Sequence, residues 1–552
     1  MELQGAPPVS KKLRRPQLFS QSVEVLCDES GHLGPLSYKV PPNMEIYIGD
    51  AVRVPFGTKE KYGMVVGPGN DAIATRPVLE RFGTRTGENE IALAFEISCE
   101  HFVPFSTVAQ RLAPKTRRGN PPLTMKDPVL RPGPSADDLG LMSDFNPPRR
   151  ILALAPSLDP VRVAALEAQR LSKNGQVLVL CPTKQLVEKV LEEFIEGAAR
   201  MDVVPKENEV SPWRGFLEGS LKIAISTRTS ALWPAYDLSG IIVLDENHPG
   251  HIESTQPHTN ARDLASRRTS ALGADLVLIS SVPSGQALAS RSKLMSVGSK
   301  NDWPSVKVCS RSDLEPSLRM SPPVALAAVS SARSSKNQAF VVAPTGASKY
   351  RCKSCKQVYE SVQKSCTRCG GLVSSSGFSP DRVKSLFTKA TVLTIQELFS
   401  ARPRPGSTVV IFDTDSLESA HDKFPSQTAS SVLYAAARLA GVNGTVVLCL
   451  NDQPSDTAVD LLLRKDFRRH SKRVWAEAKA LGLPPFTKMV ECRFKRSTAP
   501  KPPKVEGRVL GPRRLEDGEW EIVILLQRSS LESLAPWVDR ARKSGKARIV
   551  VS

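Results

Sequence analysis

The sequence predicts a multidomain α/β protein with a small all-β module at its N-terminus and a small α+β domain at its C-terminus. With 552 residues the chain is too long for one hydrophobic core, so we expect about three or four domains. Up to Gly69, short alternating apolar runs are separated by Gly and Pro, as in antiparallel β structure. Farther on, apolar runs such as 176–180 and 241–244 alternate with helix-length segments, which is typical of parallel sheets in α/β lobes.

The charge of the chain indicates a polyanionic partner. Lys and Arg number 75 and Asp and Glu 56, which gives a net charge of +19 and a pI of about 9.5. The alternative is a basic solubility tail, but the positive charge is spread along the whole chain. Ten Cys in a chain of this length do not make a disulfide scaffold, and no apolar run reaches about 18 residues. We therefore expect a nucleic-acid-binding protein of the cytoplasm that does not associate with membranes.

Composition divides the chain into several parts. Clusters of Pro and Gly and runs of basic residues mark the boundaries between them. The predicted parts are a flexible basic arm at 1–17, an all-β domain at 18–112, a linker at 113–147, a first α/β lobe at 148–290, a second lobe at 291–480 with an insertion at 350–372, and a C-terminal domain at 481–552.

The stretch Ile223–His248 organises the first lobe. It contains two apolar runs, one ending at Ile225 before a polar turn and the other ending in the tetrapeptide Asp-Glu-Asn-His. Acidic residues just beyond such strands can hold Mg²⁺ and orient a water in a nucleotide-processing core, whereas the alternative is a simple strand cap. Together with the preceding Thr-Arg-Thr-Ser-Ala-Leu segment, Asp245, Glu246 and His248 resemble the DExH box of superfamily 2 helicases.

Further segments in the same order extend this resemblance to the PriA family of replication-restart helicases. They are Cys181-Pro182-Thr183, Arg262-Asp263-Leu264-Ala265 and Leu481-Gly482-Leu483-Pro484-Pro485-Phe486. The resemblance implies two RecA-like lobes of the superfamily 2 helicase type. It also implies an N-terminal DNA-binding β module and a C-terminal domain that contacts DNA and partner proteins.

The loop after the first strand of the first lobe departs from the family pattern. A P-loop needs glycines, a Lys and a following Ser or Thr to hold phosphates and Mg²⁺. The stretch from Ala155 to Val161 has no Gly and no Lys; its two prolines remove N–H donors, and Asp159 adds a negative charge. Of the two arginines that reach the γ-phosphate in ATPase members of the family, Arg438 alone remains. We therefore expect neither ATP nor Mg²⁺ binding in the usual manner, and assign no catalytic residue.

The β module resembles the 3′-DNA-binding domain of the PriA family, in which a small pocket accepts the terminal base and 3′-OH of a strand. The motifs Leu-Ser-Tyr-Lys-Val-Pro and Gly-Asp-Ala-Val-Arg-Val-Pro-Phe-Gly carry the pocket positions over to Leu36, Ser37 and Gly57, and a further alignment adds Arg76. The family has Asp where this chain has Ser37, so a hydroxyl replaces the charge-assisted hydrogen bond. The alternative is a β-barrel without an end pocket.

Two Cys-x-x-Cys pairs predict a metal knuckle inside the second lobe. Cys352, Cys355, Cys366 and Cys369 have the spacing C-x2-C-x10-C-x2-C, which brings four thiolates to one tetrahedral Zn²⁺. A closed Cys₄ site leaves no open coordination position, so this one zinc would be structural. The alternative is a pair of redox-active dithiols.

The resemblance and these departures together predict a PriA-like replication-restart or primosome protein without ATPase or helicase activity. It would bind branched DNA, or junctions of single strands with duplex, and recruit primosome or replisome proteins, including single-strand-binding protein and a helicase loader. The expected location is the bacterial nucleoid or, for a phage protein, the host cytoplasm. Two alternatives remain: an active ATP-dependent 3′–5′ helicase with a divergent phosphate loop, and a zinc-stabilised protein-interaction scaffold.

Overall fold

A computed structural model describes most of the chain. The described residues are 18–28, 34–114, 120–141, 147–203, 209–319, 321–343, 349–352, 354, 358–359, 365–376, 380–417, 425–451, 459–515, 517–545 and 547–551. The predicted arm at 1–17 lies outside them, as does Cys355. Within these ranges, no helix has both the length and the apolar character needed to cross a membrane.

An antiparallel β domain comes first. Its elements are β1 (Leu18–Phe19), β2 (Ser22–Cys27), β3 (Leu36–Lys39), β4 (Ile46–Tyr47), β5 (Asp50–Phe56), β6 (Lys59–Pro68), β7 (Glu80–Thr84), α1 (Glu88–Glu100) and α2 (Phe105–Ala109). The main sheet has the order β3-β2-β6-β5-β7, and alternating valines of β2 and β5 form its buried face. The backbone of Arg76 hydrogen-bonds β3 through the N–H of Lys39 (2.9 Å), and Leu79 hydrogen-bonds β5 at Arg53 (2.9 Å). This segment therefore connects the edge strand β3 with β5 on the other side of the sheet.

The first α/β lobe is built on a seven-stranded parallel sheet. Its elements are β8 (Val129–Leu130), β9 (Arg149–Leu154), α3 (Pro160–Ser172), β10 (Gln176–Cys181), α4 (Lys184–Glu192), β11 (Phe194–Glu196), β12 (Ala198–Arg200), α5 (Pro212–Glu218), β13 (Ile223–Thr227), β14 (Leu238–Leu244), α6 (Ala261–Leu272), β15 (Asp275–Ser280), α7 (Gly285–Ala289) and β16 (Lys293–Val297). The order is β12-β13-β10-β14-β15-β9-β16, and β8 pairs separately with β11. The central strands are continuous apolar runs because helices cover both faces.

Residues 120–141, which composition predicted to be part of a linker, lie along this lobe. The N–H of Leu123 donates to the carbonyl of Ser211 (3.0 Å), and the N–H of Arg131 donates to that of Glu193 (2.7 Å). Backbone hydrogen bonds of this kind do not depend on side-chain type, so composition could not predict them.

The second α/β lobe has a five-stranded parallel sheet. Its elements, with the small strands of the insertion, are β17 (Ser305–Ser310), α8 (Pro323–Ser334), β18 (Ala339–Val342), β19 (Lys349–Cys352), β20 (Val358–Tyr359), β21 (Val373–Ser376), α9 (Pro380–Leu386), β22 (Thr391–Leu393), α10 (Ile395–Ser400), β23 (Thr408–Ile411), α11 (Pro425–Ala440), β24 (Thr445–Leu450), α12 (Asp460–Arg464) and α13 (Phe467–Leu481). The parallel sheet has the order β17-β24-β23-β18-β22, and the insertion forms an antiparallel sheet β20-β19-β21.

A four-stranded antiparallel sheet with one long helix ends the described chain. Its elements are β25 (Lys488–Phe494), β26 (Arg508–Arg514), β27 (Trp520–Leu526), α14 (Ala535–Gly545) and β28 (Arg548–Val551), in the sheet order β26-β27-β25-β28. The predicted mixed α/β architecture with a β domain in front is therefore confirmed.

The β domain packs directly on the first lobe through α1 and α6. Ile97 of α1 and Leu264 of α6 belong to one continuous hydrophobic core that spans both domains. Arg268 and Glu90 form an ion pair across the same contact (3.4 Å), with their side chains 2% and 7% exposed. Because a buried charge without its partner is costly, this pair fixes how the two helices dock.

Glu100, at the end of α1, lies where three domains meet. Its carboxylate pairs with Arg267 of the first lobe and with Lys488 and Arg528 of the C-terminal domain. Burial alone would raise the pKa of Glu100, but the positive charges of Arg267 and Lys488 outweigh it and lower the pKa to about 2. The carboxylate is therefore ionised at neutral pH and stabilises the contact between the domains.

Candidate functional site

The loop between β9 and α3 lies at the carboxyl end of a parallel strand, where ligands of open α/β sheets bind. Asp159 is the N-cap of α3, and its carboxylate accepts a hydrogen bond from the N–H of Val161 (2.9 Å). Ser157 is fixed in turn, because its hydroxyl donates to Asp302 (3.1 Å). A helix N-terminus attracts anions through its free N–H groups and its dipole. At the N-terminus of α3, the carboxylate of Asp159 occupies the place of a bound anion.

An apolar core fills the cleft between the two lobes beside this loop. Buried residues of both lobes belong to it, among them Ala153, Ala155, Val282, Leu433, Tyr434 and Phe467, together with Trp303 of the connecting segment. The Trp303 ring makes an edge contact with the Tyr434 ring (centroids 6.2 Å apart) and lies 5.4 Å from that of Phe467. The Tyr434 hydroxyl donates to the carbonyl oxygen of Leu154 at the end of β9 (3.0 Å), and burial raises the pKa of this hydroxyl. The two lobes therefore contact each other directly beside the loop between β9 and α3.

The acidic residues after β14 make contacts within the protein. Glu246 is fully buried and pairs with Arg262 (3.1 Å), and it also accepts hydrogen bonds from the N–H and hydroxyl of Ser284 (both 2.9 Å). Asp245 has a left-handed backbone (φ 52°) and accepts a hydrogen bond from Ser281 (3.1 Å). Both oxygens of the Glu246 carboxylate are therefore occupied by groups of the protein itself.

Two other positions of the predicted hydrolysis apparatus lie apart from these contacts. His248 Nδ1 accepts a hydrogen bond from the N–H of Gly250 (2.9 Å) and so stabilises the turn after the tetrapeptide. Arg438, on α11, is exposed. The structure thus brings Asp245 and Glu246 next to the loop after β15. His248 instead contacts the backbone of the turn that follows it.

Three of the four predicted pocket positions of the β domain, Ser37, Gly57 and Arg76, lie at one loop. The hydroxyl of Ser37 accepts a hydrogen bond from the N–H of Asn70 (3.0 Å), where this loop begins. At its far end, Arg76 Nη1 donates to the carbonyl oxygen of Gly57 (2.8 Å), which has a left-handed backbone (φ 60°). Leu36 is 36% exposed beside Ser37. A hydroxyl and a guanidinium therefore lie at the two ends of the same loop.

Sequence reasoning missed Asn70 and the aromatic residue before Gly57. Phe56 is half-buried, and the ammonium of Lys61 lies 4.7 Å from its ring centroid. The Gly-Asn pair at 69–70 is a recognisable turn signal. That this turn reaches Ser37 could not be read from the sequence, because the contact spans 33 residues.

Three of the predicted metal ligands lie together. The sulfur atoms of Cys352, Cys366 and Cys369 all lie within 4.8 Å of one another, and those of Cys352 and Cys369 are 3.4 Å apart. Zn–S bonds of about 2.3 Å would place sulfurs about 3.8 Å apart, so the cluster can hold a metal ion. The N–H of Arg368 points to Cys366 Sγ (3.4 Å), and a Cβ at Gly371 would lie 3.1 Å from Cys352 Sγ. The fourth predicted ligand, Cys355, lies outside the described residues.

Among solved structures, the chain is similar to the DUF1998 helicase MrfA bound to DNA. The identity is 12%, the match covers 62% of this chain and 52% of that one, and the TM-score is 0.29. A TM-score of this size supports no conclusion about fold or activity.

Sequence comparisons match both the β domain and a larger part of the chain. The model of the PriA 3′DNA-binding domain (3′BD) matches residues 24–114. Replication restart protein PriA of Rickettsia conorii is 27% identical over 270 residues, which is 46% of this chain and 41% of the relative. That of Synechocystis sp. is 34% identical over 122 residues, 21% of this chain and 15% of the relative. The matches thus span less than half the length of these relatives. The predicted resemblance to the PriA family is therefore confirmed.

Proposed function

We propose that this protein binds branched DNA in replication restart, and that its β domain recognises the 3′-end of a strand. The observation that carries the proposal is the loop that joins Ser37 to Asn70 at one end and Arg76 to Gly57 at the other. It lies in the part of the chain that the 3′DNA-binding domain model matches. Leu36 would contact the terminal base, Ser37 its hydroxyl and Arg76 a phosphate.

We further propose that the two parallel sheets are RecA-like lobes that serve as a DNA-binding scaffold without ATP hydrolysis. Asp159 at the helix N-terminus and the apolar core around Tyr434 support this, because both use space that a nucleotide needs. Glu246, bound to Arg262, is not free to activate a water. The net charge of +19 supplies the attraction to DNA, largely through counterion release. The recruited proteins would be components of the primosome or replisome, such as a helicase loader and single-strand-binding protein.

The full-length chain should bind forked DNA and show no DNA-stimulated ATP hydrolysis. Fork affinity should fall by roughly a thousandfold between about 50 and 200 mM salt, because several phosphate contacts release counterions. Fluorescence anisotropy and a phosphate-release assay measure the two properties. The Asp245→Ala and Glu246→Ala variants are the controls for turnover.

Two outcomes would contradict this proposal in different ways. Turnover that both substitutions abolish would establish an active helicase with a divergent phosphate loop. Weak, salt-insensitive fork binding would favour a protein-interaction scaffold instead.

We propose that the cysteine cluster binds one structural Zn²⁺. Its thiolates lie close enough together, and their full number of four would leave no position for a substrate. Purified protein should release about one zinc per chain to a chelator after thiol modification. Cys366→Ser should lose this zinc, whereas Cys99→Ser, an exposed cysteine outside the cluster, should keep it. If the Cys366→Ser variant still contained one zinc per chain, the cysteine cluster would not be the zinc site.

A further inference from the structure

We propose that Cys309 and Cys449 form a reversible disulfide bond when the protein meets a peroxide. The two cysteines lie on neighbouring strands of the second lobe, β17 and β24, and neither is among the predicted metal ligands. The inference concerns a site of redox modification and does not depend on the proposed binding of DNA.

Strand register places the two cysteines side by side. Cys309 is the register partner of Cys449 in the parallel pair of β17 and β24. Neighbouring strands lie about 4.8 Å apart, which falls within the range of about 4.4–6.8 Å between Cα atoms that a disulfide bond requires. Directly paired residues extend their side chains to the same face of the sheet. The two thiols can therefore be joined without a large movement of the backbone.

A second pair on the same face shows that paired side chains of these two strands meet. Ser305 and Thr445 are register partners and stand four positions before the two cysteines. Their hydroxyl oxygens lie 2.9 Å apart. Because side chains return to the same face at every second residue of a strand, this pair shares the face of Cys309 and Cys449. The register therefore brings the two thiols into contact as it does the two hydroxyls.

The surroundings of the pair make Cys309 the more reactive thiol. The Cys449 thiol donates a hydrogen bond to the Cys309 sulfur, which lowers the pKa of Cys309 despite its burial, and the positive charge of Arg311 lowers this pKa further. The same hydrogen bond, together with burial, raises the pKa of Cys449. Since the thiolate is the nucleophile, Cys309 attacks the oxidant first, and Cys449 keeps its proton until the second step.

The position of β17 gives a small oxidant access to Cys309. β17 lies at one edge of the five-stranded sheet, whereas its neighbour β24 is an inner strand. Cys309 is 4% exposed and Cys449 is fully buried, and both share a core with Ala325 and Ala328 of α8. An edge strand has a neighbour on one side only, so it opens more readily than an inner strand. Hydrogen peroxide, which is hardly larger than water, can therefore reach Cys309 first.

Each disulfide bond consumes one molecule of peroxide. The Cys309 thiolate attacks one peroxide oxygen and the O–O bond breaks, which gives a sulfenic acid and a hydroxide that takes up the proton released by Cys309. The Cys449 sulfur then attacks the sulfenic sulfur, so the S–S bond forms and the S–O bond breaks. The departing hydroxide takes the proton of Cys449 and leaves as water. The two thiols thus lose two electrons in total, and these reduce the peroxide to two waters.

The disulfide bond fixes the segment that joins the two lobes. β17 begins two residues after Trp303, which packs in the apolar core between the lobes. The bond ties this edge strand to the inner strand β24 of the second sheet. The modification therefore acts on the connection between the lobes.

The test treats the full-length protein with hydrogen peroxide, alkylates the remaining thiols and maps disulfide bonds by mass spectrometry after tryptic digestion. Trypsin should release Cys309 in the peptide 308–311 and Cys449 in the peptide 439–464. Oxidised protein should yield one linked species, about 2 Da lighter than the sum of the two peptides, and a dithiol reductant should separate it. The Cys449→Ser variant should lack this species and accumulate oxygenated forms of Cys309.

Cys492→Ser is the matched control. Cys492 is fully buried on β25, its register partners are Ile522 and Ile549, and burial raises its pKa to about 12. This variant should form the link between Cys309 and Cys449 as fully as the unmodified protein does. Melting curves establish that each variant is folded before it is oxidised.

Three results with the unmodified protein would overturn the inference. Peroxide could leave Cys309 reduced, convert it to sulfinic or sulfonic acid, or link it to a cysteine other than Cys449. The peptide map distinguishes all three from the expected link, because the cysteines of the metal cluster lie on other tryptic peptides.

Discussion

Replacing Trp303 by alanine should lower the free energy of unfolding by about 3–5 kcal/mol, the usual cost of deleting a large buried aromatic side chain. Trp303 is 7% exposed and lies between the two lobes against Tyr434 and Phe467. Its removal would leave a cavity in the core that closes the cleft. The change in unfolding free energy is measured by urea unfolding. Circular dichroism monitors the transition, because this signal does not depend on the deleted tryptophan.

Phe399→Ala is the matched control for this substitution. Phe399 is an aromatic residue of the second lobe that is 53% exposed, so its loss should change stability by no more than about 0.5 kcal/mol. If Trp303→Ala were as mild as this control, the lobes would not be held together by this core in solution. The apolar core would then not exclude a nucleotide from the cleft.

Glu100→Gln should destabilise the protein by about 3 kcal/mol at pH 7. The lowering of the carboxyl pKa from 4.5 to about 2 corresponds to roughly this free energy, because one pKa unit is about 1.4 kcal/mol. The amide keeps the size of the side chain but gives Arg267 and Lys488 no counter-charge. Glu96→Gln, on the exposed side of the same helix, should have little effect.

The pH dependence of this difference has a defined sign. A carboxylate whose folded-state pKa is depressed contributes its full stabilisation above the unfolded pKa, near 4.5, and loses it as the pH falls toward 2. The difference in unfolding free energy between the unmodified protein and Glu100→Gln should be constant above about pH 5.5. It should be smaller by roughly 1 kcal/mol at pH 3.5. A difference that is independent of pH over this range would mean that Glu100 acts through packing and not through its charge.

The fold class was accessible from the sequence because its signals are local. A parallel strand covered on both faces is a continuous apolar run, so β10 and β14 could be recognised from their own residues. The alternating valines of β2 and β5 likewise predicted a β domain. How the domains dock could not be predicted from the sequence. Glu90 and Arg268 are residue types expected at the surface, and each is buried only because it pairs with the other, 178 positions away.

Which chemical groups this protein possesses could be read directly from its sequence. The spacing of its cysteines predicted a metal site, and the missing glycines and lysine after β9 indicated the loss of a phosphate loop. The tertiary structure alone decided where the remaining groups act. Asp159 caps its own helix, Glu246 pairs with Arg262, and Ser37 accepts a hydrogen bond from the N–H of Asn70. Spacing rules describe neighbours along the chain, whereas these contacts depend on how distant segments pack and share charge.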